Sequence, residues 1–468
     1  MTGFSRRRFL ATSGALMAGA PVLSARFAPQ AFAADTSGYK ALVCIFLYGG
    51  LDATDTVLPY DQTNYDRLAA LRAGLFDAYG TGSGNSSRDR ENLLEIIPDN
   101  AADFGSRRFA LPPEMSGMRD MFDDGDLAIV GNVGPLIEPT DQTAFLSETV
   151  SVPERLFSHN DQQSTWMSFG VEGSQFGWGG RFADVIGSAG DPLFTSIGYA
   201  GNDVFLSGED IRPFLTSAGY GQDINATMHN WYTGYGEDYD RMRDRLNAFY
   251  GRNDFGHQNL LKMDYGNISA QGIANVRAFN QNVQSGNDYE GQFPDTRIGE
   301  QLQSVAQVIS AKGSFATPRQ IFYVGIGGFD THSDQSRTLP SLLGQLSDAV
   351  SAFRDAMVSA NDWNNVRLFT ASDFGRTIVD NGDGTDHGWG GHHFVAGGDV
   401  NGRRIYGTLP PPILGGSQFI PEGSQALIPT VSVDEYAASL GGWFGLTPDE
   451  MSPILPNLNN FAGGLGSV

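Results

Sequence analysis

Four runs of apolar residues have the length and continuity of strands that are buried on both faces of a sheet. They are Lys40–Tyr48, Leu127–Val133, Gln320–Ile326 and Val366–Ala371. Such runs are typical of a parallel sheet, in which both faces are covered by helices. Farther along the chain, the short apolar segments His393–Ala396 and Arg404–Tyr406 predict a hairpin.

Segments with apolar residues at helical spacing lie between these strands. They are Met115–Phe122, Arg297–Ile309, Leu339–Met357 and Val433–Phe444. Helices that alternate with buried strands predict an α/β fold with a mostly parallel central sheet and helices on both faces. Residues 200–295 are richer in Asn, Gly, Tyr and Asp and contain one helical pattern near Glu237–Tyr250. We interpret them as an insertion or cap over the sheet.

The first 33 residues have the order of a twin-arginine signal peptide. Arg6 and Arg7 precede an apolar, small-residue run from Ala11 to Leu23, and an Ala-Phe-Ala cleavage site ends at Ala33. We expect export to the periplasm or the extracellular space, with residues 34–468 as the folded domain. The apolar run is too short and too rich in Gly and Ala to span a bilayer well, so we expect no membrane anchor.

The composition argues against several kinds of binding partner and of catalytic chemistry. The formal net charge is −23, and both nucleic acid and anionic membrane surfaces repel such a chain. The single cysteine, Cys44, lies inside an apolar run, so we expect a small core residue and no intramolecular disulfide. The sequence has no Gly-x-Gly-x-x-Gly after a strand, no cysteine cluster and no haem motif, which disfavours an oxidoreductase.

Acidic residues follow three of the predicted strands, and histidines accompany them. The candidate metal ligands are Asp52, Asp330, His332, Asp373 and His387, and His159 lies after the second strand. Ligands of open α/β sheets bind beyond the carboxyl ends of the strands. Mixed carboxylate and imidazole ligands favour Zn, Mn or Fe over Mg or Ca, so we predict one or two such ions per chain. For each residue alone, the alternative is a capping Asp or a hydrogen-bonded polar His.

Two further residues are candidates for catalysis. Ser158 stands at a predicted helix start, where the helix dipole favours an anion, and is a candidate metal-activated nucleophile. The alternative for Ser158 is a plain N-cap. Arg376 follows the fourth strand and is a candidate to bind a phosphate or sulfate group through two hydrogen bonds. The alternative for Arg376 is a salt bridge to one of the many nearby acids.

Five motifs together resemble the exported bacterial proteins of domain-of-unknown-function family 1501. They are GGLDATDTVLPY, LFSHNDQQ, GGFDTHSDQ, SDFGRT and GTDHGWGGHHFVAGG, and the resemblance covers nearly the whole chain after the leader. That family resembles the alkaline phosphatase, sulfatase and cofactor-independent phosphoglycerate mutase superfamily. The resemblance implies a three-layer sandwich with a central sheet between helices and a two-metal site. It also implies hydrolysis of phosphate or sulfate esters, with a small anionic ester as substrate.

Carried over by position, the resemblance implies a role for six residues. Asp52 would bind one metal, and Asp330 and His332 would bind the other. Asp373 resembles the ligand aspartate after the following strand, His387 resembles the last histidine ligand, and Ser158 would be the nucleophile. The sequence departs from the superfamily at Asp334 and Phe374, because both positions normally carry a ligand histidine. These departures leave three alternatives: a one-metal enzyme, replacement by His392 or His393, or an exported binding or structural protein that keeps the fold without catalysis.

Overall fold

The computed structural model describes residues 34–81, 86–187, 192–201, 203–218, 260–421, 425–461, 464–466 and 468, together with residues 241, 245 and 248. Residues Ala34–Val468 form one unit. The predicted signal peptide, residues 1–33, lies outside the described residues, as does most of the helix predicted near Glu237–Tyr250.

The described strands and helices alternate along the chain. The strands are β1 (Lys40–Tyr48), β2 (Leu58–Pro59), β3 (Leu94–Ile96), β4 (Phe109–Leu111), β5 (Leu127–Gly134), β6 (Ser196–Gly198), β7 (Phe214–Leu215), β8 (Arg319–Gly327), β9 (Val366–Ser372), β10 (Arg376–Asp380), β11 (Thr385–His387), β12 (Gly391–Ala396), β13 (Ile405–Gly407) and β14 (Val431–Ser432). The helices are α1 (Ala53–Thr56), α2 (Gln62–Leu71), α3 (Ala73–Thr81), α4 (Ser116–Asp124), α5 (Gln142–Leu146), α6 (His159–Ser168), α7 (Trp178–Ile186), α8 (Leu260–Val283), α9 (Arg297–Ser310), α10 (Lys312–Phe315), α11 (Gln335–Ser359), α12 (Val433–Phe444) and α13 (Pro448–Met451).

Nine of the described strands form one mostly parallel sheet, as predicted. Their order is β13-β5-β12-β9-β1-β8-β6-β7, and β14 also pairs with β5. Within the described sheet, β12 alone runs antiparallel to its neighbours, β5 and β9. Strand β1 lies between β8 and β9, with Tyr48 opposite Gly327 and Leu47 opposite Ser372. The carboxyl ends of these three strands therefore meet at one edge of the sheet.

The hairpin predicted for His393–Ala396 and Arg404–Tyr406 is wrong. The two segments become β12 and β13, which pair with opposite sides of β5 instead of with each other. The connection between them passes around the amino end of β5, where Gly397 N donates to Asp126 O and Arg403 N donates to Leu127 O. The sequence pattern alone does not reveal that β5 lies between β12 and β13 in the sheet, although these two segments are neighbours in the chain.

Alternate residues of β1 pack into two separate cores, one on each face of the sheet. Val43 and Ile45 pack in the core that includes helices α4, α9 and α11. Leu42, Cys44 and Phe46 pack in the core that includes α6, α7 and α12. The three-layer α/β arrangement is thus confirmed. Cys44 is a buried free thiol, and burial raises its pKa well above the ordinary value.

The described parts of residues 200–295 join the main unit. Strand β7 pairs with β6 at the edge of the central sheet. Phe279 and Val283, near the end of α8, are buried in the core on the α9 side. The remainder of the predicted cap lies outside the described residues, so the cap stays a prediction. Among the described residues, none of the helices combines the length and the hydropathy needed to span a bilayer.

Candidate metal centre

Three neighbouring strand ends build the site. Asp52, Asp330 and Asp373 follow β1, β8 and β9, whose parallel pairing brings the three following loops to one edge. Two glycines allow these loops to approach closely. Gly49 has φ +116°, and a Cβ there would lie 2.3 Å from the backbone nitrogen of Asp330. Gly50 has φ +91°, and a Cβ there would lie 2.6 Å from the ring of Phe374.

Three imidazole rings turn their Nε2 atoms toward one carboxylate oxygen of Asp330. The distances to Asp330 Oδ1 are 3.5 Å from His159, 3.3 Å from His332 and 3.5 Å from His387. The Nε2 atoms of His332 and His387 lie 2.8 Å apart. Ligand atoms of His159, Asp330 and His387 all fall within 4.8 Å of one another. His159 and His387 are half-buried, whereas Asp330 and His332 reach solvent.

Each of the three rings has an acceptor at its other nitrogen. His159 Nδ1 lies 2.6 Å from Asp373 Oδ2, His332 Nδ1 lies 3.1 Å from Asp386 Oδ1, and His387 Nδ1 lies 2.7 Å from the carbonyl oxygen of Phe157. A carboxylate or carbonyl there holds the ring proton on Nδ1, which leaves a lone pair on Nε2. If all three rings carry their proton on Nδ1, the Nε2 lone pairs near the Asp330 carboxylate repel each other, and a cation among them would relieve that repulsion; His332 Nε2 and His387 Nε2, 2.8 Å apart, form a hydrogen bond only if one of them is protonated.

His159 gives the clearest sign that a cation fits. Its Nε2 is buried and has no hydrogen-bond partner among the described residues. A buried polar atom without a partner is costly, and a metal ion is one of the partners that would satisfy it. The hydrogen bond to Asp373 raises the pKa of His159. The same negative charge that favours a proton on Nε2 favours a metal ion there. The residues present therefore fit a divalent metal with imidazole and carboxylate ligands.

Asp373 lies behind His159 and supports it. Its Oδ2 accepts hydrogen bonds from His159 Nδ1 and, at 2.9 Å, from Gln163 Nε2. Its Oδ1 accepts from the Gly49 backbone nitrogen at 3.1 Å. His159 and Gln163 are one turn apart on α6, so a single face of that helix holds the carboxylate. A carboxylate that orients a ligand histidine in this way is a common feature of metal sites.

Asp52 has other partners in the structure. Its side chain accepts from the backbone nitrogens of Thr54 and Asp55 and so caps α1. Arg72 donates two hydrogen bonds to it, at 2.7 and 3.0 Å, and Gln335 Nε2 donates a third at 2.7 Å. The side chains of Asp52 and Arg72 are both fully buried. Asp52 is therefore held by Arg72, Gln335 and the start of α1, and it is not part of the group formed by His159, Asp330 and His387.

Arg376 is fully buried directly behind the cluster. Its guanidinium donates to Asp330 Oδ1 and to the carbonyl oxygens of Gly49, Gly50, Phe329 and Thr385. Burial would raise the pKa of Asp330, but the hydrogen bond and the positive charge of Arg376 outweigh it and hold that pKa below its usual value. In this structure Arg376 anchors a candidate ligand, and direct binding of a substrate anion by Arg376 stays a prediction.

Ser158 is the residue that immediately precedes α6, next to His159. Its hydroxyl donates to Asp161 Oδ2 at 2.8 Å, and Arg155 pairs with the same carboxylate at 3.2 Å. This hydrogen bond from Ser158 is the main reason that the pKa of Asp161 lies below its usual value. The serine is half-buried, so its hydroxyl is fixed in direction without being sealed from solvent.

Phe374 and the histidines of β12 bear on the departures noted in the sequence. The Phe374 ring packs against His159 and His387, at centroid distances of 4.8 and 4.6 Å. His392 and His393 are buried away from the cluster. His392 Nδ1 accepts from the Asn132 backbone nitrogen at 3.0 Å, and His393 Nδ1 lies 3.2 Å from Thr370 Oγ1.

The structure thus brings together Asp330, His332 and His387 from the predicted ligand set, with Asp373 and Arg376 in direct support. Sequence reasoning missed His159 as a candidate ligand. The available signal was its place beside Ser158 at a helix start after the second strand. A histidine in that position is equally compatible with a surface residue, and the contact with Asp373 is 214 positions away in the chain.

Residues 267–413 match the family model described as "Protein of unknown function (DUF1501)". The resemblance to family 1501 is confirmed over this range. The matched range contains Asp330, His332, Asp373, Arg376 and His387, whereas Asp52, Ser158 and His159 precede it. No curated protein matches the chain.

Several solved structures resemble the chain at low identity. Ps i-CgsB in complex with k-i-k-neocarrahexaose is 10% identical, with 88% of this chain and 74% of that chain covered and a TM-score of 0.35. The C-terminal periplasmic domain of EcEptC from Escherichia coli, in complex with Zn, is 9% identical, with 91% and 88% covered and a TM-score of 0.34. The PsFucS1 sulfatase from Pseudoalteromonas sp. is 8% identical, with 90% and 72% covered and a TM-score of 0.33.

Proposed function

We propose that this protein is an exported, metal-dependent hydrolase of phosphate or sulfate esters. One observation carries the proposal: the buried and unpartnered Nε2 of His159 converges with His332, His387 and the Asp330 carboxylate, while all three rings have acceptors at Nδ1. Purely structural histidines do not need this arrangement, because a ring with one free lone pair is stabilised more simply by a hydrogen-bond donor.

His159, Asp330 and His387 would hold the ion, with His332 at the solvent side. Imidazole with one carboxylate favours Zn, Mn or Fe. Bound there, the ion would supply positive charge that polarises a phosphoryl or sulfuryl oxygen of the ester. Arg376 keeps the Asp330 carboxylate ionised, and Asp373 holds the His159 ring in the orientation that presents Nε2.

Ser158 is the candidate nucleophile. It precedes a ten-residue helix, whose dipole favours a negatively charged oxygen at this end. Its Oγ would bond to phosphorus or sulfur while the ester's alcohol leaves with the hydroxyl proton. A water molecule would then cleave the new bond, releasing phosphate or sulfate and restoring the serine. The hydrogen bond from Ser158 to Asp161 fixes the direction of the hydroxyl before the substrate arrives.

Hydrolysis of simple aryl esters tests the reaction. Protein loaded with Zn²⁺ or Mn²⁺ would be assayed against 4-nitrophenyl phosphate and 4-nitrophenyl sulfate, beside His159→Ala, His387→Ala and Asp334→Ala. Asp334 is the matched control, because its side chain is as exposed as that of Asp330 (48% each) and pairs with Arg337 instead of the cluster. We expect hydrolysis of one ester class by the parent and by Asp334→Ala, and a loss of 100-fold or more (about 3 kcal/mol) in both histidine variants.

Absence of hydrolysis by protein that retains its metal would refute the hydrolase proposal and favour the exported binding protein instead. Export has its own test, because the Arg6-Arg7 pair is the part of a twin-arginine signal that the route reads. We expect the full chain in the periplasmic fraction and Arg6→Lys/Arg7→Lys in the cytoplasm. An unchanged distribution would refute the twin-arginine route.

A further inference from the structure

We infer that this centre binds one divalent ion. A second ion would need free carboxylates nearby, but the buried guanidiniums of Arg376 and Arg72 already pair with the carboxylates of Asp330 and Asp52. The inference rests on the proposed metal centre, but not on the proposed reaction. It turns on which carboxylate oxygens around the cluster remain open to a cation.

The histidine lone pairs converge on one place. All three Nε2 atoms lie within 3.3–3.5 Å of the same oxygen, Asp330 Oδ1. Within the described part of the chain, His159, Asp330 and His387 are the one group of three or more ligand-type residues with this geometry. Asp386, whose Oδ1 lies 3.1 Å from His332 Nδ1 and accepts from Asn381 Nδ2 at 3.0 Å, adds one carboxylate, which does not make a site by itself. A second ion would therefore also need the other carboxylates of the predicted ligand set, Asp52 and Asp373.

The carboxylate oxygens of Asp52 are already paired with the buried guanidinium of Arg72. Both of its oxygens accept from Arg72, Oδ2 also accepts from Gln335, and Oδ1 also accepts from two backbone nitrogens at the start of α1. A metal ion at Asp52 would have to displace a guanidinium that is itself fully buried. That guanidinium would then lose its counter-ion inside the protein, which is strongly unfavourable.

The carboxylate oxygens of Asp373 already accept hydrogen bonds from three donors. Its two oxygens accept from His159, Gln163 and the Gly49 backbone nitrogen, and its side chain is fully buried. The next residue is Phe374, whose ring packs against His159 and His387 and offers no donor atom. The space beside Asp373 is therefore filled by an apolar ring and by the ring of a candidate ligand.

Arg376 adds a permanent positive charge at the boundary of the site. It is fully buried and donates to Asp330 Oδ1, the oxygen on which the imidazoles converge. Arginine stays protonated under all ordinary conditions, so this charge is fixed. A second divalent ion placed beside it would be repelled by both the guanidinium and the first ion.

Asp52 and Arg72 consequently act on the site from a distance, as positioning residues. Gln335 joins Asp52 to the two loops of the cluster, because its Oε1 accepts from Thr331 Oγ1 at 3.0 Å and from Thr385 Oγ1 at 2.7 Å. Thr331 lies between Asp330 and His332, and Thr385 begins the strand that ends at His387. The buried pair therefore holds the ligand loops without binding the ion.

Counting bound ions tests the inference without an activity assay. The full chain would be stripped with a chelator, titrated calorimetrically with Zn²⁺ alone and analysed for metal after gel filtration. We expect one equivalent in the parent, one in the control Asp334→Ala and less than a tenth of an equivalent in Asp330→Ala. The double variant Asp52→Asn/Arg72→Met removes both buried charges together, and we expect it to keep one equivalent with a raised dissociation constant, because the ligand loops are held less firmly.

Two equivalents in the parent would overturn the inference. Loss of the ion in a folded double variant would also overturn it, because Asp52 would then be a ligand. Zero equivalents in the parent would instead remove the metal centre and the proposed function with it. One equivalent without hydrolysis of any ester would leave the inference in place and refute only the reaction. The number of ions bound by the parent protein tests the inference by itself, so the test does not depend on whether the double variant folds.

Discussion

Arg72→Met tests how strongly the buried pair with Asp52 supports the fold beneath the site. The arginine is fully buried, donates two hydrogen bonds to Asp52, and also donates to the carbonyl oxygens of Thr377 and Ile378. Methionine fills similar space without charge. The substitution therefore leaves the Asp52 carboxylate buried with hydrogen bonds from neutral donors but no counter-ion.

Removing one partner of a buried pair costs about 3–5 kcal/mol, because the other charge is left uncompensated. A typical domain is stable by about 5–15 kcal/mol, so Arg72→Met should remove about a fifth or more of the total. Asp52→Asn should cost a similar amount, because it leaves Arg72 without a counter-ion. The double variant should cost about as much as either single variant instead of their sum, which gives a coupling energy of about 3–5 kcal/mol.

Urea unfolding of the four proteins, followed by tryptophan fluorescence, measures this cycle. The exposed pair Arg108–Glu95 is the matched control, and its coupling should be at most about 1 kcal/mol because solvent screens it. Additive effects at Asp52 and Arg72, within about 0.5 kcal/mol, would refute the conclusion that the two buried charges depend on each other.

Three further predictions follow from single buried groups. Burial raises the pKa of Asp434 to about 6, so the protein loses stability as the pH rises from about 4 to about 6. In urea unfolding, Asp434→Asn should be more stable than the parent by up to about 3 kcal/mol at pH 8 but not at pH 4. An equal difference at both pH values would contradict this. Burial lowers the pKa of His392 to about 4 and that of His393 to about 3. The stability present above about pH 6.5 should therefore fall as the pH drops toward those values, and calorimetry should detect proton uptake on unfolding near pH 5. No uptake would show that these rings are not buried in the neutral form. Cys44 should not react with a thiol reagent in the native protein and should give one thiol per chain in denaturant, whereas rapid native labelling would contradict its burial.

The central strands and the last long helix were predictable because local pattern and tertiary burial agree there. Strand β1 has the predicted bounds, since a continuous apolar run fits a strand that is covered on both faces. Helix α12 also has the predicted bounds. Ser432 and Glu435 form a capping box at its start, and Gly445 ends it in the left-handed conformation.

Features that depend on distant contacts were not predictable. The pairing of Arg72 with Asp52 depends on how α2 and α3 pack, and nothing in the sequence marks one of 30 basic residues as the partner. The position of His159 depends on a contact with Asp373, which lies 214 positions away in the chain. The placement of β12 and β13 on opposite sides of β5 likewise depends on the path of a glycine-rich connection.

The proposed metal centre itself is tested most directly by the X-ray absorption spectrum of the Zn-loaded protein, recorded for the parent and for His159→Ala. We expect a first shell with nitrogen and oxygen neighbours at about 2.0–2.1 Å and the scattering pattern of at least two imidazole rings, with one ring fewer in the variant. A shell of oxygen atoms alone, or an imidazole count unchanged by His159→Ala, would contradict it.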